Sequence, residues 1–314
     1  MLLDRSDTAP DSSENQVFAS IGAIPPSAAG WSEISLYTPA ALEASVERIA
    51  FDALTGTLYA GTDSGVSSST GDGPWSAAGT GLVTSDLVDL AVVAGQAGHL
   101  FALGAEGPGT CGAASCHSLT LFATTDGGAS WTPLASTSDL DDPQIPPGRV
   151  PGQLAPDPAT PATLYLLAVG LYKTTDGGAT LQKLPLPGSA VALVIDPGAP
   201  ATLYAAVRPG AAAMIFKSLD GGGSWSAAAQ GLPAGAQATV LAIDPAAPAS
   251  LYVATDQGVF ASTDGGATWA ALDQGLAGLR VLTLAAVAGT AGGGPSTVCA
   301  GTEGAGLFTL QPVP

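Results

Sequence analysis

The strongest constraint on the fold of this chain is a nine-residue string that recurs four times. Its copies align without a gap and read ATTDGGASW (123–131), KTTDGGATL (173–181), KSLDGGGSW (217–225) and ASTDGGATW (261–269). A repeat of this kind is typical of folds in which each unit buries its apolar face only against neighbouring units. The chain is therefore predicted to be a repeat protein.

Each repeat contains four short runs of β type. In the best copy they are VLAID (240–244), SLYVAT (250–255), GVFAST (258–263) and TWAALD (268–273). Pro, Gly and Asp separate the runs, as in strands joined by tight turns. Such units are typical of β-propeller blades. The innermost strands are predicted near residues 48, 88, 150, 191, 240 and 281. This gives an all-β single propeller of six four-stranded blades, with seven as the alternative.

The N-terminal part of the chain is predicted to close the last blade. Trp31 precedes Trp75 by 44 residues, the same step that separates Trp225 from Trp269. The run GLFTL (306–310) resembles the third strand of a blade. The segment WSEISL (31–36) is therefore expected to add the fourth strand and remove an open sheet edge. Residues 1–16 are expected to be a flexible segment before a single propeller domain, 17–314.

The pattern Ser/Thr-x-Asp-x-Gly-x-x-Trp in these strings resembles the Asp-box, also called the bacterial neuraminidase repeat. This repeat occurs in sialidases, xyloglucanase-type glycoside hydrolases, sortilin-like receptors and the propeller assembly factor of photosystem II. The resemblance covers nearly the whole chain and implies a β-propeller. It implies no single function, because one scaffold serves enzymes, receptors and assembly factors.

The recurring residues of the string are interpreted as structural. The carboxylate can accept backbone N–H bonds from its own turn, the glycines can adopt positive φ, and the Trp can fix the turn onto its sheet. Two copies depart from the pattern: Leu181 replaces the Trp in the third blade, and Thr70 replaces the Asp in the first, with Asp72 displaced. Those two turns are expected to be looser. The structural residues are Asp126, Asp176, Asp220, Asp264, Trp131, Trp225 and Trp269.

A first candidate ligand site lies in long segments on the propeller face opposite these turns. The segments are 104–118, 135–149 and 208–213, from adjacent blades. Loops on a rigid scaffold often carry function, although solvated loop decoration is the alternative interpretation. The polar residues of this site are Glu106, His117, Asp139, Asp141, Asp142, Arg149 and Arg208.

A second candidate site is predicted nearer the propeller axis. Second strands end in acids and first strands begin near arginines, which can bind a carboxylate or sugar through two hydrogen bonds. The alternative is that Thr-Asp-x-Gly is simply a good turn sequence. The residues of this site are Asp63, Asp256, Glu303, Arg48, Arg149 and Arg280.

Catalysis is not singled out by the sequence. A sialidase resemblance implies three arginines, an acid and a Tyr nucleophile. Four tyrosines share one second-strand position and are expected in the core, which leaves Tyr37 and Tyr172; the four are Tyr59, Tyr165, Tyr204 and Tyr252. A xyloglucanase resemblance implies two carboxylates across a cleft between two propellers, and no pair stands out.

Cys111, Cys116 and His117 form a C-x4-C-H string. A loop disulfide between the two cysteines is the favoured interpretation, with free thiols, haem or a metal as alternatives. The Asp139, Asp141 and Asp142 cluster is considered for calcium but lacks EF-hand spacing. Cys299 falls in a strand-like run. No cofactor and no metal are predicted.

The charge balance limits the partners. A net charge of −18, with only eight basic residues spread along the chain, disfavours nucleic acid and anionic membranes. No run is long enough to span a bilayer, and no export signal is visible in MLLDRSDTAP. An extracellular, cell-surface or periplasmic location is expected from the cysteines. The sequence favours a non-catalytic module that binds a protein or a glycan. The alternatives are a glycoside hydrolase with a carboxylate pair and a structural subunit of a larger extracellular assembly.

Overall fold

The computed structural model describes residues 17–19, 32–34, 46–62, 65–71, 73–84, 86–105, 119–137, 152–168, 170–208, 214–272, 276, 278–287, 296–303 and 305–310. Within these ranges the chain forms 25 β-strands and no helix. The strands form six antiparallel sheets of consecutive strands, here called blades 1 to 6, and one separate two-stranded sheet. The predicted all-β fold with six propeller blades is confirmed.

Residues 36–184 form one compact unit, which contains blades 1 to 3. Blade 1 consists of β3 (Val46–Asp52), β4 (Thr57–Thr62), β5 (Gly65–Thr70) and β6 (Ser76–Ala77). Blade 2 consists of β7 (Asp86–Val92), β8 (Leu100–Ala105), β9 (Leu119–Thr124) and β10 (Thr132–Thr137). Blade 3 consists of β11 (Gln153–Pro156), β12 (Leu164–Leu167), β13 (Leu171–Thr174) and β14 (Gln182–Lys183).

Residues 1–35 and 185–314 form the second compact unit, which contains blades 4 to 6. Blade 4 consists of β15 (Ala190–Ile195), β16 (Leu203–Val207), β17 (Ile215–Ser218) and β18 (Ser226–Ala227). Blade 5 consists of β19 (Ala238–Ile243), β20 (Leu251–Thr255), β21 (Gly258–Ser262) and β22 (Ala270–Ala271). Blade 6 consists of β23 (Val281–Val287), β24 (Thr297–Thr302) and β25 (Gly306–Leu310). The separate sheet consists of β1 (Val17–Ala19) and β2 (Ser32–Ile34).

The structure differs from the prediction at the closure of the last blade. Within the described ranges blade 6 has three strands, and β2 pairs with β1 rather than with β25. The partners are Val17↔Ile34, Phe18↔Glu33 and Ala19↔Ser32. Pairing β2 with β1 closes a short segment, whereas pairing it with β25 would join residues near the two ends of the sequence. Loop-closure entropy therefore favours the local pair.

A β-bulge recurs in the first strands of five blades. Each of these strands shows a one-residue shift in its pairing with the second strand, between Val46/Arg48, Leu87/Asp89, Ala190/Ala192, Ala238/Val240 and Val281/Thr283. A bulge increases the local twist and redirects the side chains that follow it. The bulge therefore fixes the direction of the first residue that pairs after it in each of these strands.

Within each unit, the apolar core lies between adjacent blades. Second strands are buried along nearly their whole length, with β8, β12, β16 and β20 fully buried. One apolar cluster joins blades 1 and 2, another joins blades 2 and 3, and two more join blade 5 to blades 4 and 6. The four tyrosines predicted in the core are confirmed there, since each is at most 5% exposed; they are Tyr59, Tyr165, Tyr204 and Tyr252.

Candidate functional site

The recurring strings form four turns between third and fourth strands, here called the Asp turns (residues 124–131, 174–181, 218–225 and 262–269). In the turn of blade 5, Asp264 Oδ1 accepts the Thr268 N–H at 2.8 Å, and Oδ2 accepts the Thr268 hydroxyl at 2.5 Å. The Ser262 hydroxyl donates to Asp264 Oδ1 at 2.7 Å and accepts the Gly266 N–H at 2.9 Å. Gly265 and Gly266 have φ of +67° and +82°. The carboxylate thus organises the whole turn.

The other three Asp turns repeat these bonds. The carboxylates of Asp126, Asp176 and Asp220 accept both the backbone N–H and the hydroxyl of the residue four positions later. Hydrogen bonds from these Ser or Thr hydroxyls are the main reason why the pKa of each carboxyl, Asp264 included, falls to about 2. Because the carboxylates are ionised and saturated with local donors, they are poorly suited to proton transfer.

The Trp residues of two Asp turns bind the preceding blade. Trp269 Nε1 donates to the carbonyl of Ala228 in blade 4 at 2.8 Å, and Trp131 Nε1 donates to the carbonyl of Ala78 in blade 1 at 2.6 Å. Trp225 donates within its own turn at 3.1 Å. The sequence interpretation had each Trp fix its own turn onto its own sheet. Residues 131 and 269 instead link two blades, which a single repeat cannot reveal because the acceptor lies in the repeat before it.

The second-strand tyrosine completes the same contact between blades. A Cβ placed on Gly265 would lie 3.3 Å from Tyr204 Oη, so the Asp turn of blade 5 sits directly on the tyrosine of blade 4. Lys217 Nζ lies 5.1 Å from the Tyr204 ring centroid and donates to the Gly265 carbonyl at 2.9 Å. Tyr59 approaches Gly127 of blade 2 in the same way. These tyrosines therefore have a packing role.

The two turns that depart from the recurring string, in blades 1 and 3, are held by different contacts. In blade 1, where no carboxylate of the described residues serves the turn, Thr57 Oγ1 and Thr70 Oγ1 lie 3.0 Å apart, and the Ser69 hydroxyl donates to the Gly73 carbonyl at 2.6 Å. Asp72 lies outside the described residues. Leu181 in blade 3 is half-buried against the cluster of blades 2 and 3.

At the end of the strands opposite the Asp turns, blades 4 to 6 carry charged residues at one repeated position, directly after the second strand. These residues are Arg208, Asp256 and Glu303; we call them, with Arg280, the charged edge. Arg280 Nη1 and Glu303 Oε2 form an ion pair at 3.0 Å, with side chains 63% and 59% exposed. Asp256 Oδ1 accepts the Gln237 N–H at 2.7 Å. The side chain of Arg208 is half-buried, and the backbone N–H of Arg208 donates to the Ser189 carbonyl at 2.9 Å.

Arg48, also predicted for the axial site, belongs to a different arrangement. Its Nε lies 3.0 Å from Asp89 Oδ1, and Asp89 Oδ2 accepts the Leu154 N–H at 2.7 Å. The carboxylate of blade 2 thereby joins the first strands of blades 1 and 3. Burial raises the pKa of Asp89, whereas the charge of Arg48 and the bond from Leu154 lower it.

Sequence reasoning missed Asp89, although a signal was present. It is an acid inside the apolar run LVDLAVV (87–93). Register places Arg48, Asp89 and Gln153 at one equivalent position, opposite Gly61, Leu103 and Leu167. In blades 4 to 6 that position holds Ala192, Val240 and Thr283. At this position, charged or amide side chains therefore occur in blades 1 to 3, whereas blades 4 to 6 have Ala, Val and Thr there.

The remaining predicted residues lie outside the described ranges. They are Glu106, His117, Asp139, Asp141, Asp142, Arg149, Asp63, Cys111 and Cys116. Cys299 is buried in β24, where burial raises the pKa of its thiol. It occupies the position that a tyrosine holds in blades 4 and 5, since Cys299, Tyr204 and Tyr252 share one register.

Two searches of the described ranges gave no result. No three His, Cys, Asp or Glu side chains there come together in a way that could hold a metal ion. The same ranges contain no helical segment with the length and hydropathy that crossing a bilayer requires.

Comparison with solved structures shows the β-propeller fold at low sequence identity. The GH74 xyloglucanase from Xanthomonas campestris matches with a TM-score of 0.58 and 16% identity, over 85% of this chain and 45% of that chain. YCF48 bound to D1 peptide matches with a TM-score of 0.53 and 16% identity, over 100% of this chain and 89% of that chain. The extracellular domain of the hybrid two-component system BT4673 from B. thetaiotaomicron matches with a TM-score of 0.57 and 14% identity, over 98% of this chain and 37% of that chain.

The chain thus spans less than half the length of that xyloglucanase. No protein-family model and no curated protein matches the sequence. Structural neighbours of this fold include glycoside hydrolases and propellers in complex with peptides or proteins.

Proposed function

We propose that the protein is a non-catalytic binding propeller that presents the charged edge to a segment of a protein partner. The observation that carries the proposal is the repeated position after the second strand, where three successive blades place Arg208, Asp256 and Glu303. An exposed ion pair such as Arg280 with Glu303 contributes only about 0–1 kcal/mol to stability. Fold stability alone therefore gives little reason for this exposed ion pair, whereas specific recognition does.

The extent of one structural match supports a binding role. The match to YCF48 bound to D1 peptide extends over 100% of this chain and 89% of that chain, so the two are of comparable extent. The loop residues Glu106, His117, Asp139, Asp141, Asp142 and Arg149, together with Asp63 and Arg48, remain predictions as additional contacts. A net charge of −18 disfavours an acidic partner through long-range repulsion.

The Asp turns have no part in this proposed binding. We propose that they are Asp-boxes with a purely structural role, because their carboxylates are saturated by donors of their own turns. An extracellular or periplasmic location is proposed as well, supported by the extracellular domain of BT4673 among the structural neighbours. Fractionation of cells with an antibody against the chain tests that location, and signal confined to the cytoplasm would refute it.

A glycoside hydrolase is the second candidate, favoured by the TM-score of 0.58 to a GH74 xyloglucanase. In that case a carboxylate pair must carry the reaction, one as acid and one as base or nucleophile. The exposed acids Asp256 and Glu303 are the ones that the charged edge offers.

A paired experiment separates the two candidates. The full chain is screened against a displayed peptide library and a glycan array, and is incubated with xyloglucan and chromogenic glycosides. For the binding role we expect a peptide ligand, no turnover, and at least a tenfold loss of affinity in the double variant Arg208→Ala/Arg280→Ala. Lys183→Ala, which removes one exposed cation in blade 3, is the control outside the charged edge and should bind normally.

Two results would refute the binding role. One is peptide affinity that is equal in the double variant and the control. The other is glycoside turnover that Glu303→Gln or Asp256→Asn abolishes, which would establish the hydrolase instead.

A further inference from the structure

The recurring string places a glycine directly after the aspartate of each Asp turn. An aspartate in this order is prone to isomerise, because the missing side chain lets the next backbone nitrogen approach the carboxyl carbon Cγ. A C–N bond then forms, and the carboxyl OH leaves with the N–H proton as water, which gives a five-membered succinimide. Addition of water reopens the ring. One of the two products is isoaspartate, in which the main chain runs through the former side-chain carboxyl.

The fold requires glycine at this position. A backbone with φ between roughly +60° and +80° is one that L side chains rarely adopt, and glycine adopts it freely. The Asp turns therefore need the residue that also makes each aspartate reactive. The four glycines that follow the aspartates have φ of +72°, +71°, +68° and +67°; they are Gly127, Gly177, Gly221 and Gly265.

The backbone nitrogen that would attack the carboxyl is engaged in every Asp turn. Gly265 N–H donates to the Ala249 carbonyl at 2.9 Å, and Gly221 N–H donates to the Ala201 carbonyl at 2.8 Å. Each acceptor lies between the first and second strands of the same blade. This bond must break before the nitrogen can reach Cγ. The equivalent bonds of blades 2 and 3, both 2.9 Å long, are Gly127 N–H to the Gly98 carbonyl and Gly177 N–H to the Ala162 carbonyl.

The carboxyl group is held in its less reactive form. Ring closure proceeds through the neutral carboxyl, because a carboxylate is a poor electrophile. Asp264 accepts the N–H and the hydroxyl of Thr268 and the hydroxyl of Ser262. Led by the Thr268 hydroxyl, these donors hold the pKa of Asp264 at about 2, against an ordinary value of 3.8. At pH 7 the neutral fraction therefore falls by about one to two orders of magnitude.

The turns of blades 4 and 5, which belong to one compact unit, are tied down to different degrees. Trp269 is 5% exposed and binds blade 4 twice, through its indole to the Ala228 carbonyl and through its backbone N–H to the Gln230 carbonyl. Trp225 is half-buried, and its indole donates within its own turn. Opening the turn of blade 5 breaks bonds to a neighbouring blade, so it requires more free energy. The turn of blade 4 should therefore open more often.

We propose that the Asp–Gly bonds of the Asp turns are latent isoaspartate sites, which the closed turn keeps unreacted and which react when a turn opens, in blade 4 before blade 5. Isoaspartate adds a carbon atom to the main chain and leaves its carboxylate on the α-carbon, away from the donors of the turn. A turn that has reacted therefore cannot recover its hydrogen bonds. This chemistry is independent of the proposed binding at the charged edge.

Ageing of the full chain tests the proposal. The chain is incubated at pH 7, either folded in buffer or unfolded in guanidinium chloride. Isoaspartate at each turn is then measured by peptide mapping with electron-transfer fragmentation. We expect at least tenfold more isoaspartate at all four turns in the unfolded chain. In the folded chain we expect at least threefold more at Asp220 than at Asp264.

Variants at Thr268 separate protection by the turn from the stability of the whole chain. Thr268→Ala removes the hydroxyl that donates to Asp264 and should raise isoaspartate there at least threefold, whereas Thr268→Ser keeps a donor and should restore the low rate. Asp126, in the other compact unit, is the internal control and should be unchanged in both variants. Circular dichroism verifies that both variants fold.

Three results would overturn the proposal. The first is equal isoaspartate formation in the folded and unfolded chains. The second is a folded chain in which Asp264 reacts as fast as Asp220 or faster. The third is a Thr268→Ala variant in which isoaspartate at Asp264 does not rise, or rises together with that at Asp126, because either outcome would remove the role of the hydroxyl within the turn.

Discussion

At the scale of single residues, the Asp turns place four carboxylates where their charge stabilises local structure. The pKa of each, about 2, lies below the ordinary value of 3.8. A carboxyl whose pKa is lowered in the folded state adds stability above its unfolded pKa and loses it as the pH falls through the folded pKa. The chain should therefore lose thermal stability between about pH 4 and pH 2.

This pH dependence is testable at one turn. Asp264→Asn keeps an acceptor for the Thr268 N–H but removes the charge, so its melting temperature should be lower than that of the unchanged chain at pH 7. The difference should narrow towards pH 2, where the carboxyl of the unchanged chain also becomes neutral. Differential scanning calorimetry across this range provides the measurement. A difference that is constant with pH would contradict the role of the charge.

The Trp residues provide a second prediction at this scale. Trp131→Phe keeps an aromatic ring but leaves the buried Ala78 carbonyl without its donor, which should lower the free energy of unfolding by about 1–3 kcal/mol. Trp225→Phe is the matched control, because its N–H bonds only within its own half-exposed turn. Urea unfolding of both variants compares them, and equal losses would refute the link between blades 1 and 2.

At the scale of strands and blades, the first strands of blades 1 to 3 meet at Asp89. Asp89→Ala should lower the free energy of unfolding by about 2–4 kcal/mol, because Leu154 N–H loses a buried acceptor and Arg48 loses its counter-ion. Arg48→Ala should cost less, about 1–2 kcal/mol, since its side chain is 43% exposed and water compensates for part of the loss.

The exposed pair of blade 6 is the control for the Asp89 prediction. Arg280→Ala removes an ion pair of the same length, 3.0 Å, from a solvated position and should change stability by less than about 1 kcal/mol. Urea unfolding measures all three variants. A loss in Asp89→Ala no larger than that in Arg280→Ala would refute a structural role for the buried carboxylate.

The strands were predictable from the sequence because their apolar alternation and turn residues recur in each repeat. Contacts that join two repeats were not predictable in this way. Alternating apolar runs and Gly-rich turns located all four strands of blade 5, because each depends on local chemistry. The bulges, the link from Trp131 to Ala78 and the bridge at Asp89 depend on a neighbouring blade, about which one repeat carries no information. Sequence similarity assigned WSEISL (31–36) to blade 6, but the similarity could not account for the competing pairing of β2 with β1.

At the scale of the whole molecule, a net charge of −18 sets how the chain responds to salt. Like charges repel one another in a compact state, and salt screens this repulsion over roughly 10 Å at 0.1 M. The melting temperature at pH 7 should therefore rise as sodium chloride increases from about 10 mM to about 200 mM. A fall over this range would mean that attractive pairs, such as Arg48 with Asp89, outweigh the repulsion. Sodium chloride should be compared with tetramethylammonium chloride to exclude a specific cation effect.

The hydrogen bonds from Trp131 and Trp269 share a direction: the donor lies in the later blade and the acceptor in the earlier one. A ribosome releases the earlier blade first, so each acceptor carbonyl is already in place when its indole emerges. Within each compact unit, assembly can follow the order of synthesis, with every new blade docking on a surface that already exists. Nascent chains in which residue 131 has left the ribosome should consequently form the hydrogen bond from Trp131 to the Ala78 carbonyl, whereas chains in which residue 131 is still inside the ribosome should not.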